Sequence, residues 1–479
     1  MALLGCGMID VSNPAGSFGE RNFSLCDLGD ARRTRRLVRA ADQLLAHPDK
    51  ALPHKFASPK DYRALLRLAN CPVLTHRAVL GAHTHVVLER LRGNGPAVVV
   101  MPEDTTELDF SGQNTLTLGP IGNGGGQGYE CHNTLAIDPR SREIFGLVDQ
   151  ILHQRRRVPP GEGAAAKRSH PDRESRLWVK AARNVGPAPA GKVWVRVCDR
   201  AADTFEYLEY LTVNRLSFVF RSCQNRALEV EADDSGPRLL HDRLRALPSQ
   251  AGWEVDVSAQ KATKTQPARV ARVAKVCAAA ALVRIKAPHV HVGDHGKESM
   301  PAWAIRVWEP DPPAGQEALE WLLLTDQEVT GAAARLREVV GYYECRVVAE
   351  EYHKCQKTGV GIELLQLQSR AGLEPLIALL SVVAVPLVNL RVAARQQETA
   401  ARPAREVVDP LWVEVLSTWR YREARDLSVK EFTLALARLG GHQNRKCDGM
   451  PGWQTLWRGW ERLRTMLDYE LSRLTCGKH

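Results

Sequence analysis

The 479-residue sequence predicts an α/β core that contains a β-rich insertion and is flanked by helical regions at both ends. Three observations support this fold class. Short β-branched runs and a helical pattern follow one another between residues 97 and 198, strand patterns fill residues 216–325, and helical patterns occupy both ends. Because the chain exceeds a single typical core, we expect two to four domains.

The composition indicates a basic protein of a reducing compartment. Lys and Arg number 65 against 55 Asp and Glu, and the net charge of +10 suits a polyanionic partner, although many basic proteins bind none. Eleven cysteines form no CxxC pair, which indicates the cytosol and argues against a structural zinc site. No signal-peptide pattern opens the sequence. The most apolar run, Leu376–Leu390, contains Pro386 and predicts a buried helix rather than a membrane span.

The amino-terminal region predicts a helix with a basic face. Residues 1–20 carry Gly, Asn and Pro without periodicity and are expected to be loose, whereas Asp30 can cap the helix that follows. The basic face is either a solvated surface or a phosphate-binding surface, and the absence of an interspersed acid favours phosphate. It consists of Arg32, Arg35, Arg36 and Arg39.

Carboxylates follow two predicted strands of the core. The strand Lys192–Cys198 ends at Asp199, and Asp203 on the next predicted helix is the alternative acid. Carboxylates held together at the edge of a sheet repel one another, and Mg²⁺ or Mn²⁺ relieves that repulsion. The strand Ala97–Met101 leads into the other acids, which are Glu103, Asp104, Glu107 and Asp109.

The segment Val339–Thr358 predicts one long helix, since it has no Gly or Pro between Tyr342 and Lys357. Five polar residues would form a single stripe along it. Such a stripe is either a solvated face with i,i+4 ion pairs or a metal-binding carboxylate whose neighbours bind phosphate. The five are Tyr343, Arg346, Glu350, Lys354 and Lys357.

The order of the predicted elements matches a ribonuclease-H-like layout. With Thr134–Ile137 and Ile144–Ile151 as further strands, the order is β-β-β-α-β, with acids after the first and fourth strands and a third acid on a later helix. The tract Gly122–Gly128 is predicted to be a loop. It lacks the Lys-Ser/Thr pair that completes a phosphate-binding loop.

The spacing Tyr343-x2-Arg346-x3-Glu350-x6-Lys357 resembles the YREK signature of DDE cut-and-paste transposases of the insertion-sequence-four family. Further stretches are similar to the same family: LGDARRTRRL near the amino terminus, EDTT around Asp104 and CDRAAD around Asp199. The resemblance extends from about residue 25 to the end of the chain.

The resemblance implies a role for each matching residue. Asp104, Asp199 and Glu350 would be the catalytic ligands of Mg²⁺ or Mn²⁺. Trp321 would stack on a displaced base, although a tryptophan in a strand is more often part of the core, and Val347 stands where the family has a second stacking aromatic. The residues expected to bind DNA are Tyr343, Arg346, Lys354, Lys357 and Arg221, together with the four amino-terminal arginines.

The resemblance also implies a domain layout and partners. We expect a helical end-recognition domain over residues 1–80, a ribonuclease-H-like core over 81–393 with a β-rich insertion at about 216–325, and a helical dimerisation and DNA-contact domain over 394–479. Partners would be double-stranded transposon-end DNA, target DNA and a second copy in the synaptic complex, with no membrane. The expected location is the cytoplasm, at the bacterial nucleoid.

The implied activity is a DNA transposase that performs metal-dependent strand cleavage, hairpin formation and resolution, and strand transfer into target DNA. Two alternatives remain open from the sequence. One is a catalytically silent protein that only binds transposon ends and represses them. The other is a stand-alone nuclease of the same fold without strand transfer.

Overall fold

The computed structural model describes residues 16–476 apart from residues 49–50, 57, 114, 258, 260–261, 263–267, 290–294, 331–332, 396 and 446–447. Of the segment 1–20 predicted to be loose, residues 1–15 lie outside the described residues, whereas a helix begins at Phe18, so the prediction is wrong for that part. Lys261 and Lys264, two lysines in the predicted β-rich insertion, also lie outside the described residues. The chain divides into two compact units. The first comprises residues 1–96, 104–157 and 347–479, and the second comprises residues 97–103 and 158–346.

The elements of the first unit come from both ends of the chain, and strand β1 is shared with the second unit. The amino-terminal part of the first unit contains α1 (Phe18–Phe23), α2 (Ala31–Ala46), α3 (Pro59–Ala69), α4 (His76–Arg92), β1 (Val98–Asp109), β2 (Gly119–Ile121), β3 (Gly126–Ile137) and β4 (Ile144–His153).

The second unit contributes most of the strands. Its elements are α5 (Ala164–Ser169), α6 (Leu177–Val185), β5 (Val193–Cys198), α7 (Phe205–Val213), β6 (Phe218–Arg221), β7 (Leu228–Glu229), α8 (Leu240–Arg245), β8 (Ala251–Val257), β9 (Arg272–Ile285), β10 (Met300–Trp308), β11 (Glu320–Thr325) and α9 (Ala333–Glu344). The chain then returns to the first unit with α10 (Val347–Lys354), α11 (Arg370–Arg395), α12 (Gln397–Ala400), α13 (Pro410–Tyr421), α14 (Val429–Leu439) and α15 (Trp453–Cys476).

The sheet of the second unit changes from parallel to antiparallel pairing. Residues 98–103 of β1 pair in parallel with β5, and β5 pairs in parallel with β6. From β6 onward the neighbours are antiparallel, in the order β6, β11, β10 and β9, and both β7 and β8 pair with β9. The strands predicted for residues 216–325 are therefore confirmed.

Helix α9 covers one face of this sheet, and a buried ion pair lies on the other face. Helix α9 packs on the face that carries Val195, Val197 and Ile305, because β-branched residues at alternate positions give that face a continuous apolar surface. On the other face, the carboxylate of Glu103 on β1 lies 3.2 Å from the guanidinium of Arg196 on β5, and both side chains are almost completely buried.

The first unit is organised around one long buried helix, α11. The helix is longer than the run Leu376–Leu390 predicted from the sequence, and it contains both Pro375 and Pro386. By length and composition it is the one helix in the described part of the chain that could cross a membrane, which is weak evidence, and its most apolar window is entirely buried inside the protein. The prediction of a buried helix is confirmed.

Two strands, β1 and β3, extend far beyond their predicted bounds. Strand β1 continues past Met101 to Asp109, so Asp104 lies within the strand and not after its end. Strand β3 begins at Gly126, inside the tract predicted to be a loop. A Cβ atom on Gly128 would come within 1.9 Å of the Leu108 carbonyl oxygen, so glycine is required where β3 approaches β1.

The buried ion pair between Glu103 and Arg196 makes stability sensitive to pH. Burial raises the pKa of Glu103 to about 7, while Arg196 and the hydroxyl of Tyr207, which donates at 2.9 Å, oppose that rise. Removal of the guanidinium raises this pKa further. Above the new pKa, an unpaired carboxylate remains buried.

We therefore expect Arg196→Met to cost about 3–5 kcal/mol of stability at alkaline pH. This loss of stability should shrink as the pH falls from about 9 to about 7. It should change little below pH 7, because Glu103 is then protonated in the folded state of both the wild-type protein and the variant. Urea unfolding across this pH range measures it. The double variant Glu103→Gln/Arg196→Met is the control and should show no such pH dependence; a loss in Arg196→Met that is constant with pH would contradict the account.

Candidate nucleic-acid interface and active site

Asp199 lies at the carboxyl end of β5, and Asp203 has a different, structural role. The half-buried Asp199 caps a short 3₁₀ turn, and its Oδ1 accepts a hydrogen bond from the Ala201 amide at 2.8 Å. Asp203 is buried, accepts from the amide of Gln224 at 2.8 Å and forms an ion pair with Arg226 at 2.7 Å. Because these contacts occupy its carboxylate, Asp203 is an anchor for the loop after β6.

In the second unit, the structure brings five of the predicted site residues together. The indole of Trp321 on β11 packs edge-on against the phenol of Tyr343 on α9, with ring centroids 5.9 Å apart. Burial raises the pKa of Tyr343, while nearby Arg346 and Arg221 oppose this rise and Asp199 adds to it. The phenol therefore lies near two cations and a carboxylate.

Arg221 and Trp321 are both half-buried, on neighbouring strands. Arg221 pairs with Leu323 in the antiparallel register of β6 and β11, and its Nη2 donates to the Glu320 carbonyl at 3.0 Å. Trp321 packs partly on the core that underlies α9. Its packing thus serves the core, while part of this half-buried residue remains exposed to solvent.

The prediction of one long helix over Val339–Thr358 is wrong. Helix α9 ends at Glu344, and the amides of Cys345 and Arg346 donate to carbonyls three residues earlier, at 3.1 and 3.0 Å. Helix α10 begins at Val347, and residues 355–359 form a π-helical turn. The break occurs where the chain passes from the core of the second unit to that of the first, so the polar stripe is not continuous.

A network of buried polar side chains fixes α10, which carries Glu350. The Asn133 amide on β3 lies 3.1 Å from the imidazole of His353 and donates to Gln356 Oε1 at 3.1 Å. Gln150 on β4 donates to Asn133 Oδ1 at 2.7 Å, and Gln356 donates to the Ser381 hydroxyl at 2.9 Å. Since unpaired polar groups are costly in a core, these bonds define one position for α10 and the π-helical turn.

Glu350 and the two predicted lysines lie on this fixed segment. Glu350 is half-buried, and Val347 at the start of α10 is exposed. The ammonium of Lys354 lies 3.5 Å from the carboxylate of Glu351, its neighbour one turn earlier. Lys357 lies 3.7 Å from Glu363, whose carboxylate accepts from the amide at the end of β1. Lys357 is thereby held next to this strand within the first unit.

Asp104 lies in the part of β1 that belongs to the first unit. It is half-buried, and its Oδ1 accepts from the Thr105 amide at 2.8 Å. The Thr105 hydroxyl shares a hydrogen bond of 2.8 Å with His132 on β3. Burial lowers the pKa of His132 to about 3, so its ring is neutral at physiological pH and supports the strand without adding charge.

The amino-terminal arginine face is confirmed as a helix surface, but it has an acid next to it. Asp30 caps α2 as predicted and also lies 3.3 Å from Arg32. Asp61 on α3 lies 2.9 Å from Arg36 and 3.1 Å from Arg39. No acid is interspersed among these arginines along α2, as the sequence shows, but Asp61 is adjacent to them in space although it is distant in sequence.

Helix α3 adds basic residues that the sequence analysis missed. Lys60, Arg63 and Arg67 are exposed, as is Arg35 on α2. The two helices pack through Leu37, Leu65 and other apolar residues of one core. The spacing of three and four residues along α3 is the signal that could have revealed this second basic stripe.

Carboxylates are the only predicted metal ligands, and they are distributed over both units. Asp104 and Glu350 belong to the first unit and Asp199 to the second. Among the described residues, no group of three or more His, Cys, Asp or Glu side chains has an arrangement that could hold a metal ion. The metal site stays a prediction.

Comparison with known proteins supports a DNA-binding role for the amino-terminal helices. Residues 15–72 match the transposase DNA-binding family. Among solved structures, a cryo-EM structure of the piggyBac transposase synaptic complex with hairpin DNA aligns with 81% of this chain and 63% of that chain, at 11% identity and a TM-score of 0.31. The aligned region thus covers less than two thirds of that protein.

The buried network around Gln356 gives a test of how α10 is positioned. Gln356→Met keeps the side-chain volume but removes the side-chain hydrogen bonds to Asn133, Tyr352 and Ser381. We expect a loss of about 1–3 kcal/mol and faster amide hydrogen exchange over residues 347–359. Lys354→Met, on the exposed side of the same segment, is the matched control and should change stability by less than about 0.5 kcal/mol. Equal effects of the two variants would show that the network does not fix α10.

Proposed function

We propose that the protein is a DNA transposase that binds transposon ends and cleaves DNA by metal-dependent phosphoryl transfer. The observation that carries this proposal is the match of residues 15–72 to the transposase DNA-binding family. The resemblance of the later motifs to the YREK transposases supports a DDE-type mechanism, and a ribonuclease-H-like core would be its scaffold.

DNA binding is supported by the basic surface that α2 and α3 form together. Its exposed arginines and Lys60 present guanidinium and ammonium groups from two packed helices. Arginine forks suit phosphate oxygens, and each phosphate contact releases counterions, so affinity should fall as salt rises. The ligand proposed for this surface is the double-stranded DNA of the transposon end.

The proposal for catalysis rests on the parallel pairing of β1 with β5. The last aligned pair of that register is Glu103 with Cys198, and the next residues along the chain are Asp104 and Asp199. The strand order also supports a ribonuclease-H-like core, since β1, β5 and β6 are successive parallel neighbours and the hairpin of β3 and β4 lies between β1 and β5 in sequence. We propose Glu350 as the third carboxylate.

Three carboxylates are a donor set that suits Mg²⁺ or Mn²⁺. Asp104, Asp199 and Glu350 would hold these ions. The chemistry that divalent ions supply at such a site is activation of a water or a DNA 3′-hydroxyl and stabilisation of the leaving oxygen.

The residues around Tyr343 would orient the DNA strand. The half-buried Arg346 and Arg221 side chains lie near the buried phenol of Tyr343, so the two guanidiniums would contact neighbouring phosphates and the phenol would support them from below. Trp321 offers a half-exposed ring beside Tyr343 for an unpaired base. In the first unit, Lys357 follows Glu350 on the same segment and is held beside β1 through Glu363. This lysine would bind a phosphate of the DNA strand.

We further propose that cleavage continues through hairpin formation and resolution to strand transfer, in a synaptic homodimer. These steps rest on the resemblance of the motifs. A silent end-binding repressor would leave the DNA bound but uncleaved. A stand-alone nuclease would leave nicks that are never converted into hairpins.

The carboxylate set gives the direct test of the catalytic proposal. Asp104→Ala, Asp199→Ala and Glu350→Ala should each abolish nicking of an end duplex in Mg²⁺ or Mn²⁺ and leave its binding within about twofold, because binding is carried mainly by phosphate contacts elsewhere. Gel shift and denaturing gels measure both quantities. Glu254→Gln, an exposed carboxylate on β8, is the control and should cleave normally. Retained cleavage in any of the three alanine variants would remove that residue from the site.

A further inference from the structure

Asp61 holds two arginines of the proposed DNA surface in one arrangement. Its Oδ1 accepts from Arg36 Nη1 at 2.9 Å, and its Oδ2 accepts from Arg39 Nη2 at 3.1 Å. The carboxylate is 13% exposed, whereas the Arg39 side chain is 64% exposed. One carboxylate is thus covered by two guanidiniums that still face the solvent.

This arrangement leaves both arginines able to bind DNA, but only in fixed orientations. A guanidinium has five N–H donors, and each of these arginines uses one of them on Asp61. The remaining donors point in directions that the two helices determine, since Arg36 and Arg39 lie one turn apart on α2 and Asp61 lies in the first turn of α3. A phosphate backbone can use both arginines only when it passes along these directions.

The ion pairs also weaken contacts that do not fit this geometry. Binding to random DNA depends on flexible cations that adapt to any phosphate, whereas sequence-specific binding depends on groups held in register with one duplex. Asp61 removes one unit of net positive charge from the surface and restricts the movement of two side chains. Both effects penalise random DNA more than the correct end.

We propose that Asp61 is a specificity-determining residue: it positions Arg36 and Arg39 for the phosphates of the transposon end and prevents them from adapting to random duplexes. This inference rests on the proposed function as a protein that binds transposon-end DNA. It assigns to an acid within a basic surface a role in discrimination rather than in affinity.

The experiment compares full-length wild-type protein with Asp61→Asn. The specific probe is the duplex that the wild-type protein enriches from a random library, and the non-specific probe is a scrambled duplex of the same length. Fluorescence anisotropy at 50 to 200 mM salt gives both affinities. Each additional phosphate contact makes affinity fall about threefold more over this salt range. We expect Asp61→Asn to bind the scrambled duplex about threefold to tenfold more tightly in low salt, with a steeper salt dependence, and the specificity ratio to fall accordingly.

Two further variants isolate the role of the carboxylate. Asp61→Glu keeps a carboxylate that can reach both arginines and should retain most of the specificity ratio. Glu89→Gln, which removes the same charge from an exposed ion pair with Arg92 on α4, should leave the ratio unchanged. Thermal melting of each variant verifies that it is folded, and Asn can still accept a hydrogen bond from one of the two arginines.

The outcomes separate the inference from the proposed function. If the wild-type protein enriches a sequence but Asp61→Asn has the same specificity ratio and salt dependence, Asp61 has no role in discrimination and the proposed DNA binding stands. A fall of the ratio in Glu89→Gln equal to that in Asp61→Asn would also overturn the inference, since net charge alone would explain it. If the wild-type protein enriches no sequence, the proposed end binding itself fails.

Discussion

The pairing of one buried charge with another at the end of a parallel register is the constraint on which the candidate active site depends. Glu103 and Arg196 are almost fully buried, and a buried ion that loses its partner is strongly destabilising. The pair therefore favours one register between β1 and β5, in which Glu103 is aligned with Cys198. The proposed catalytic residues Asp104 and Asp199 follow immediately along the chain. A structural ion pair thus lies immediately before the two carboxylates that we propose as metal ligands.

Much of the fold follows from local patterns in the sequence, whereas the ends of its elements do not. The β-branched runs that predict β5 and the strands between residues 216 and 325 are strands in the structure. The extension of β3 into a glycine-rich tract was missed because it depends on a neighbouring strand: Gly128 is needed only since Leu108 approaches it closely. The break between α9 and α10 was missed for a similar reason, because it lies where the chain passes between two cores.

The candidate site residues were predicted from motif spacing, but their partners in the fold were not. Motif resemblance singled out Tyr343 and Trp321, and the structure adds that the two rings are in contact. The motifs could not reveal that Asp61 pairs with arginines more than twenty residues earlier, or that Asn133 and Gln356 join a buried network. Ion pairs and hydrogen bonds between distant segments depend on tertiary packing, which a sequence pattern does not encode. In this protein, such contacts control how the charged groups are oriented.

The measurement that tests the central claim most directly follows the products of the wild-type protein on end DNA. An end duplex selected by the protein is incubated with Mg²⁺ or with a chelator, and a denaturing gel separates intact, nicked and hairpin strands. The account predicts a nick at one defined position, followed by a hairpin, only when the divalent ion is present. Bound but uncleaved DNA would contradict the assignment of catalysis and favour a repressor. Nicks that are never converted into hairpins would contradict transposition and favour a stand-alone nuclease.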